Sequence, residues 1–250
     1  MEDSASLIDF YERAYSATGE EAELYARWRR LGAVGKAEHV VALCRRAGIV
    51  PASTLDVGCG DGALLGELAE RGFGGRLDGA EISEPAARIA ETRPAVTSVV
   101  RFDGVELPLG DASRDLGVLS HVLEHAPQPH TLLAEAARVC GAVIFEVPLE
   151  DNLSARRAGK RSHSREIGHL HRLDRTAARA IAHRAGLRVA AELEDPLPLS
   201  VQSFFASGSR ARAAALGKWA LRAAVHRVAP PLARRLFTLH YACLCVPRDA

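Results

Sequence analysis

No run of about 18 apolar residues occurs in the 250-residue chain, so no segment reads as a helix that crosses a membrane. The N-terminus, Met1-Glu2-Asp3-Ser4, lacks the basic-then-apolar pattern of a secretory signal. A cytoplasmic location is the default expectation. Cysteines are few and odd in number: Cys44, Cys59, Cys140, Cys243 and Cys245. Their scatter excludes a disulfide framework. Cys243 and Cys245 would share one face of a strand, where packing is the expected role. Net charge is only +1, and aromatic residues are 5% of the chain and sparse between 210 and 237, which disfavours nucleic-acid binding. No internal repeat is visible.

What the chain does have is ordinary globular material, 48% hydrophobic and 25% charged, at a length that often forms one core. Charge is divided unevenly. Residues 1–150 hold 24 acidic and 14 basic side chains, a net of −10, whereas residues 151–250 hold 7 and 18, a net of +11. Such asymmetry marks either a surface for anionic partners or solvated Arg-rich helices.

Apolar spacing at Val40, Val41, Leu43 and Cys44 predicts a helix that ends at Gly48. Strands are expected at 54–57, 76–81, 96–101, 116–120 and 142–147, alternating with helices at 63–71, 85–92 and 130–140. Alternation of this kind predicts a parallel sheet covered on both faces, an α/β fold. Residues 151–172 are polar and basic and read as a long loop. A helix at 175–185, a half-buried strand at 187–193, an insertion with helical stretches at about 196–237 and a last strand at 238–246 complete the chain. Two units are expected: an N-terminal helical cap over 1–50, and the main domain over 51–250.

The chemistry-bearing segment is Asp56-Val57-Gly58-Cys59-Gly60-Asp61-Gly62. A strand that enters a Gly-rich turn and then a helix brings backbone N–H groups to the carboxyl edge of the sheet, where open α/β sheets bind ligands. Glu81 ends the second strand and suits a ribose diol. Both features also fit an NAD-dependent dehydrogenase, since Gly58-Cys59-Gly60-Asp61-Gly62-Ala63 contains G-x-G-x-x-A. Asp56 and the third glycine argue against that reading.

With Gly79-Ala80-Glu81-Ile82-Ser83, Phe102-Asp103-Gly104-Val105-Glu106-Leu107-Pro108 and the Asp115-to-His125 segment added, the chain resembles the class I S-adenosylmethionine-dependent methyltransferases. The likeness is to the small-molecule branch similar to ubiquinone/menaquinone-biosynthesis enzymes, over about residues 35–193. It implies a Rossmann-like sheet of seven strands, mostly parallel with the last antiparallel, and S-adenosyl-L-methionine as cofactor with S-adenosyl-L-homocysteine as product. It also implies roles. Asp56 would organise the loop and help hold the methionine ammonium, while Gly58, Cys59 and Gly60 would offer backbone. Glu81 would bind the ribose and Ile82 the adenine. Asp103 and Gly104 would meet the adenine amino group and ring. Ser120 would offer its carbonyl to the ammonium, and His121 would line the cofactor near the methyl.

A hydroxyl or amine acceptor can need a general base, and His121, His125 and His169, with His171, are the candidates. A metal is not expected, because His163, His169 and His171 lack tetrahedral-site spacing. Arg156, Arg157, Lys160, Arg161 and Arg165 crowd the loop after the fifth strand, which suggests an anionic small-molecule acceptor. Tyr11, Tyr15, Tyr25 and Trp28 either form a lid or pack on the sheet. The 210–237 stretch reads as a membrane-surface helix, a dimer contact or a substrate cap. A monomer or homodimer is expected. The non-enzyme alternative is a cofactor-binding regulatory protein.

Overall fold

The computed structural model describes residues 11–248 and, among these, every side chain except those of His163 and Arg165. The acidic Met1-to-Ser4 segment therefore lies outside the described residues, as do the side chains of the basic-loop candidate Arg165 and the metal candidate His163. Seven strands form one sheet: β1 Ser53–Val57, β2 Arg76–Glu81, β3 Ser98–Arg101, β4 Arg114–Ser120, β5 Cys140–Pro148, β6 Leu187–Asp195 and β7 His240–Pro247. Their order is β3-β2-β1-β4-β5-β7-β6. Pairings from β3 to β5 are all parallel, and β7 runs antiparallel to both its neighbours. The expected Rossmann-like architecture is present.

Helices cover both faces. On one side α1 (Glu20–Ala47) and α2 (Ala63–Glu70) bury Val40, Leu43, Leu64, Leu65 and Leu68 against Leu116, Val118, Ile144 and Leu244. On the other, α4 (Pro129–Val139) and α6 (Arg175–Arg184) bury Leu132, Leu133, Ile181 and Ala182 against Leu55, Val57, Leu119 and Phe145. Leu116 and Val118 thus point one way and Leu119 the other. Strands buried on both faces read as apolar runs, and this made them visible in the sequence. The short α3 (Glu84–Glu91) begins at Ser83, whose hydroxyl caps Ala86 N–H.

Four local readings change. Cys140 belongs to β5, paired with Arg114, and not to the preceding helix. Pro148 is the last residue of β5. The expected loop at 151–172 contains helix α5, Ala158–Glu166, which lacks an apolar stripe and so carries no periodic signal. In β6 the alternation is shifted by a bulge between Val189 and Ala191. Between β6 and β7 lie α7 (Leu199–Ser203), α8 (Gly208–Val228) and α9 (Pro230–Leu236). All five cysteines are buried and free. No helix among the described residues is long and apolar enough to cross a membrane.

Candidate functional site

Chain order reverses between β1 and β4, and the crevice at their carboxyl ends is the position where such sheets hold ligands. β1 leads into a loop whose Gly58, Gly60 and Gly62 have φ of 75°, 55° and 71°, a region that L side chains enter only at a cost. N–H groups of Gly58 and Cys59 both donate to the Ala80 carbonyl, at 2.7 and 3.2 Å. A Cβ on Gly58 would lie 2.6 Å from Val122 Cγ2, and one on Gly60 would strike the Tyr15 hydroxyl. Both positions favour glycine by φ, and a Cβ at either would have to displace a neighbouring side chain.

Glu81 closes this loop from β2. Its Oε2 accepts the Gly60 N–H at 2.8 Å and its Oε1 accepts the Ser83 N–H at 2.8 Å. Each oxygen retains a further lone pair for a ligand. Burial pushes its carboxyl above the ordinary range, against the pull of those N–H groups. Asp56, one residue inside the end of β1, is 3% exposed. Burial raises its pKa to about 7, with Lys36 opposing and Glu81 reinforcing the rise.

At the end of β3, Asp103 Oδ1 accepts N–H bonds from Val105 and Glu106, both at 2.8 Å, and these hold its pKa low. Gly104, at φ 87°, presents its Cβ position 3.7 Å from Ile82 Cγ2, so Ile82, Asp103 and Gly104 are neighbours. Ser120 ends β4, and its hydroxyl oxygen is buried without a partner among the described residues.

His121 follows in the left-handed region, at φ 60°, a strain of about 1–3 kcal/mol for a residue with a side chain. Three contacts hold it. Its N–H donates to the Glu146 carbonyl at 2.9 Å, Nδ1 meets Glu124 Oε1 at 2.9 Å, and Nε2 meets His240 Nδ1 at 3.1 Å. Glu146 is the hub beneath: Oε1 lies 2.9 Å from His240 Nδ1 and Oε2 lies 2.9 Å from His39 Nδ1. His39 also lies 3.3 Å from Asp195. Both nitrogens of His121 are thus engaged.

His125 and His169 come together although 44 residues separate them. Their ring centroids are 4.8 Å apart. The cause is backbone: Leu170 and His171 N–H groups both donate to the Glu124 carbonyl, at 2.8 and 3.1 Å. His171 instead meets the Ala126 carbonyl at 2.9 Å and faces away from this group. Burial lowers the His125 pKa despite the nearby Glu124.

The N-terminal aromatics divide. Tyr11 sets its ring 5.8 Å from His125, edge to face, and Tyr15 covers Gly60 with the Arg29 guanidinium over its ring at 4.7 Å. Tyr25 and Trp28 instead pack on Phe205, at 6.0 and 6.1 Å. Sequence reasoning missed Glu124, Glu146, Glu150, His39 and His240, and it found no partner for Asp61. Asp61 pairs with Arg29 at 2.9 Å and Arg93 at 3.6 Å. No local spacing signals contacts of this range.

Comparison with known proteins bears on this geometry. Residues 55–142 match a family model described as a methyltransferase domain. An uncharacterized 37.1 kDa protein in transposon TN4556 of Streptomyces fradiae is 40% identical over 110 residues, which is 41% of this chain and 32% of that protein. The match thus spans about a third of that relative's length. An S-adenosylmethionine-dependent methyltransferase of Thermotoga maritima superposes with TM-score 0.64 at 15% identity, covering 97% of this chain and 100% of that one. Geranyl diphosphate C-methyltransferase of Streptomyces coelicolor A3(2), solved with S-adenosyl-L-homocysteine, gives TM-score 0.61 at 15% identity, covering 85% and 76%. At these identities the structural likeness is one of fold.

Proposed function

We propose that this chain is an S-adenosylmethionine-dependent methyltransferase of class I, which holds its cofactor along the β1–β4 edge and methylates a small molecule that carries an anionic group. Bound there, S-adenosyl-L-methionine supplies a methyl already activated on a sulfonium, so the protein's task is alignment and exclusion of water. The dehydrogenase and regulatory readings are not retained.

One observation carries the assignment. Glu81 is buried at the strand end, tied to Gly60 N–H and Ser83 N–H, and still has lone pairs on both oxygens. That is an acceptor pair pre-set for a diol. Other residues fit the rest of the cofactor. Gly58 and Gly60 leave room for backbone approach. Asp56 and Ser120 face the ammonium side, and the buried Ser120 hydroxyl has a donor to offer. Ile82, Asp103 and Gly104 form the adenine side. Tyr15 and Tyr11, over Gly60 and His125, make the N-terminal segment a lid.

On the acceptor side stand His125 and His169. The His125 Nδ1 meets the Gly168 carbonyl at 3.0 Å and the His169 Nδ1 meets Glu150 Oε2 at 2.9 Å, so each ring keeps Nε2 for the acceptor. The exposed Arg156, Arg157, Lys160 and Arg161 lie on the segment that carries His169 and would attract an anion. Changing these four to Ala should raise the acceptor KM at least tenfold while S-adenosylhomocysteine affinity stays constant. Equal losses in both would refute the anionic-acceptor reading.

A further inference from the structure

We infer that Glu124, His125 and His169 bind one divalent transition-metal ion of the zinc type, with positions left open toward the acceptor. This rests on the reading of that face as the acceptor side. One ligand atom from each of the three residues lies within 4.8 Å of the others. A tetrahedral ion with bonds of about 2.0–2.1 Å holds its ligand atoms roughly 3.3 Å apart. Small side-chain rotations would close the difference.

Three features make this a ligand set and not a chance gathering. Both imidazoles are oriented from behind in the manner of metal ligands, His169 by the Glu150 carboxylate and His125 by the Gly168 carbonyl. Each contact uses Nδ1 and leaves Nε2 as the coordinating nitrogen. Ser164 adds a further bond to Glu150 Oε2 at 2.8 Å. Glu124, finally, is 0% exposed, its Oε1 is taken by His121, and its Oε2 is buried with no partner among the described residues. A buried carboxylate oxygen left unpaired is costly, and a cation is the partner that would satisfy it.

The neighbouring group His121, Glu146 and His240 also lies within 4.8 Å, and it differs in this respect. Glu146 gives one oxygen to His240 and the other to His39, while His121 and His240 bond to each other. Both oxygens of Glu146 and both nitrogens of His121 are thus engaged, and His240 gives its Nδ1 to these two. The two clusters meet at the His121–Glu124 contact.

Two imidazoles and one carboxylate suit zinc, cobalt or nickel better than magnesium, which prefers oxygen ligands. Three protein ligands leave at least one position for an acceptor hydroxyl or carboxylate oxygen. The chelating class of acceptor agrees with the anionic group proposed above.

Calorimetric titration of the chelator-stripped full chain with zinc tests the site. One equivalent should bind, with Kd at or below the micromolar range, and magnesium should give no competing signal. Glu124→Gln and His125→Gln should each weaken zinc at least tenfold, whereas His183→Gln, on the exposed face of α6, should not. S-adenosylhomocysteine affinity, measured on the same samples, should hold in all three, which separates this proposal from the cofactor assignment. If His125→Gln does not melt cooperatively, His169→Gln replaces it in the comparison. Absence of stoichiometric zinc binding, or binding that survives both cluster substitutions, would overturn the inference.

Discussion

Asp56 is held near pKa 7 by burial, with Lys36 lowering it and Glu81 raising it. A cationic ammonium beside it would favour the ionised form. Cofactor affinity should therefore be full above about pH 7 and fall below it, by up to tenfold per pH unit. Titrations with S-adenosylhomocysteine at pH 6 and pH 8 would show the difference, and Asp56→Asn should flatten it; a pH-independent wild-type affinity would contradict the role given to Asp56. Gly58 makes a second residue-scale case. Gly58→Ala brings a Cβ to 2.6 Å from Val122 at φ 75°, costing about 1–3 kcal/mol of strain and displacing the loop. A melting temperature and cofactor Kd unchanged from wild type would show that the loop does not need the glycine.

At the scale of elements, Glu146 of β5, His240 of β7, His121 after β4 and His39 of α1 form one buried knot that ties the long helix to the sheet. Burial works against a charge on His39, but Asp195 and Glu146 outweigh it and raise its pKa to about 10. His240, on the same carboxylate, is pushed down by burial and by His121, whereas His39 is pushed up. A raised histidine stabilises fully below its ordinary value of 6.5 and loses that contribution as pH rises through about 10. His39→Ala should cost about 3–5 kcal/mol near pH 7, since it strands a buried carboxylate. Denaturant melts should show the gap between variant and wild type narrowing toward pH 10, and a gap that stays constant would refute the ion pair.

The strands and the glycine loop were legible because their signals are local: apolar runs for strands buried on both faces, and glycines at fixed spacing after one of them. Helix α5 was illegible because all of Lys160, Arg161 and Ser162 face solvent and leave no apolar period. The histidine clusters were illegible for a different reason. His121 and His240 are 119 residues apart, and His125 meets Gly168 across 43. Only the fold brings them together, so the expectation of no metal, drawn from sequence spacing at His163, His169 and His171, weighed a set that shares only His169 with the group of Glu124, His125 and His169.

For the molecule as a whole, a parallel sheet whose order reverses between β1 and β4 places four strand ends around one crevice. Tyr15 lies against Gly60 and Tyr11 against His125 at that crevice, and the 150–173 segment docks beside it through the Glu124 carbonyl. The acidic first 150 residues include Asp56, Glu81 and Asp103 at the strand ends, while the basic remainder includes Arg156, Arg157, Lys160 and Arg161 on the segment that carries His169. The central claim is that Glu81 anchors the glycine loop and the methyl donor together. Calorimetric titration of wild type and Glu81→Ala with S-adenosylhomocysteine tests it most directly. The account predicts stoichiometric binding by wild type and a loss of about 100-fold or more in the variant, with NAD binding neither. An unchanged affinity in a folded Glu81→Ala protein, or a preference of the wild type for NAD, would contradict it.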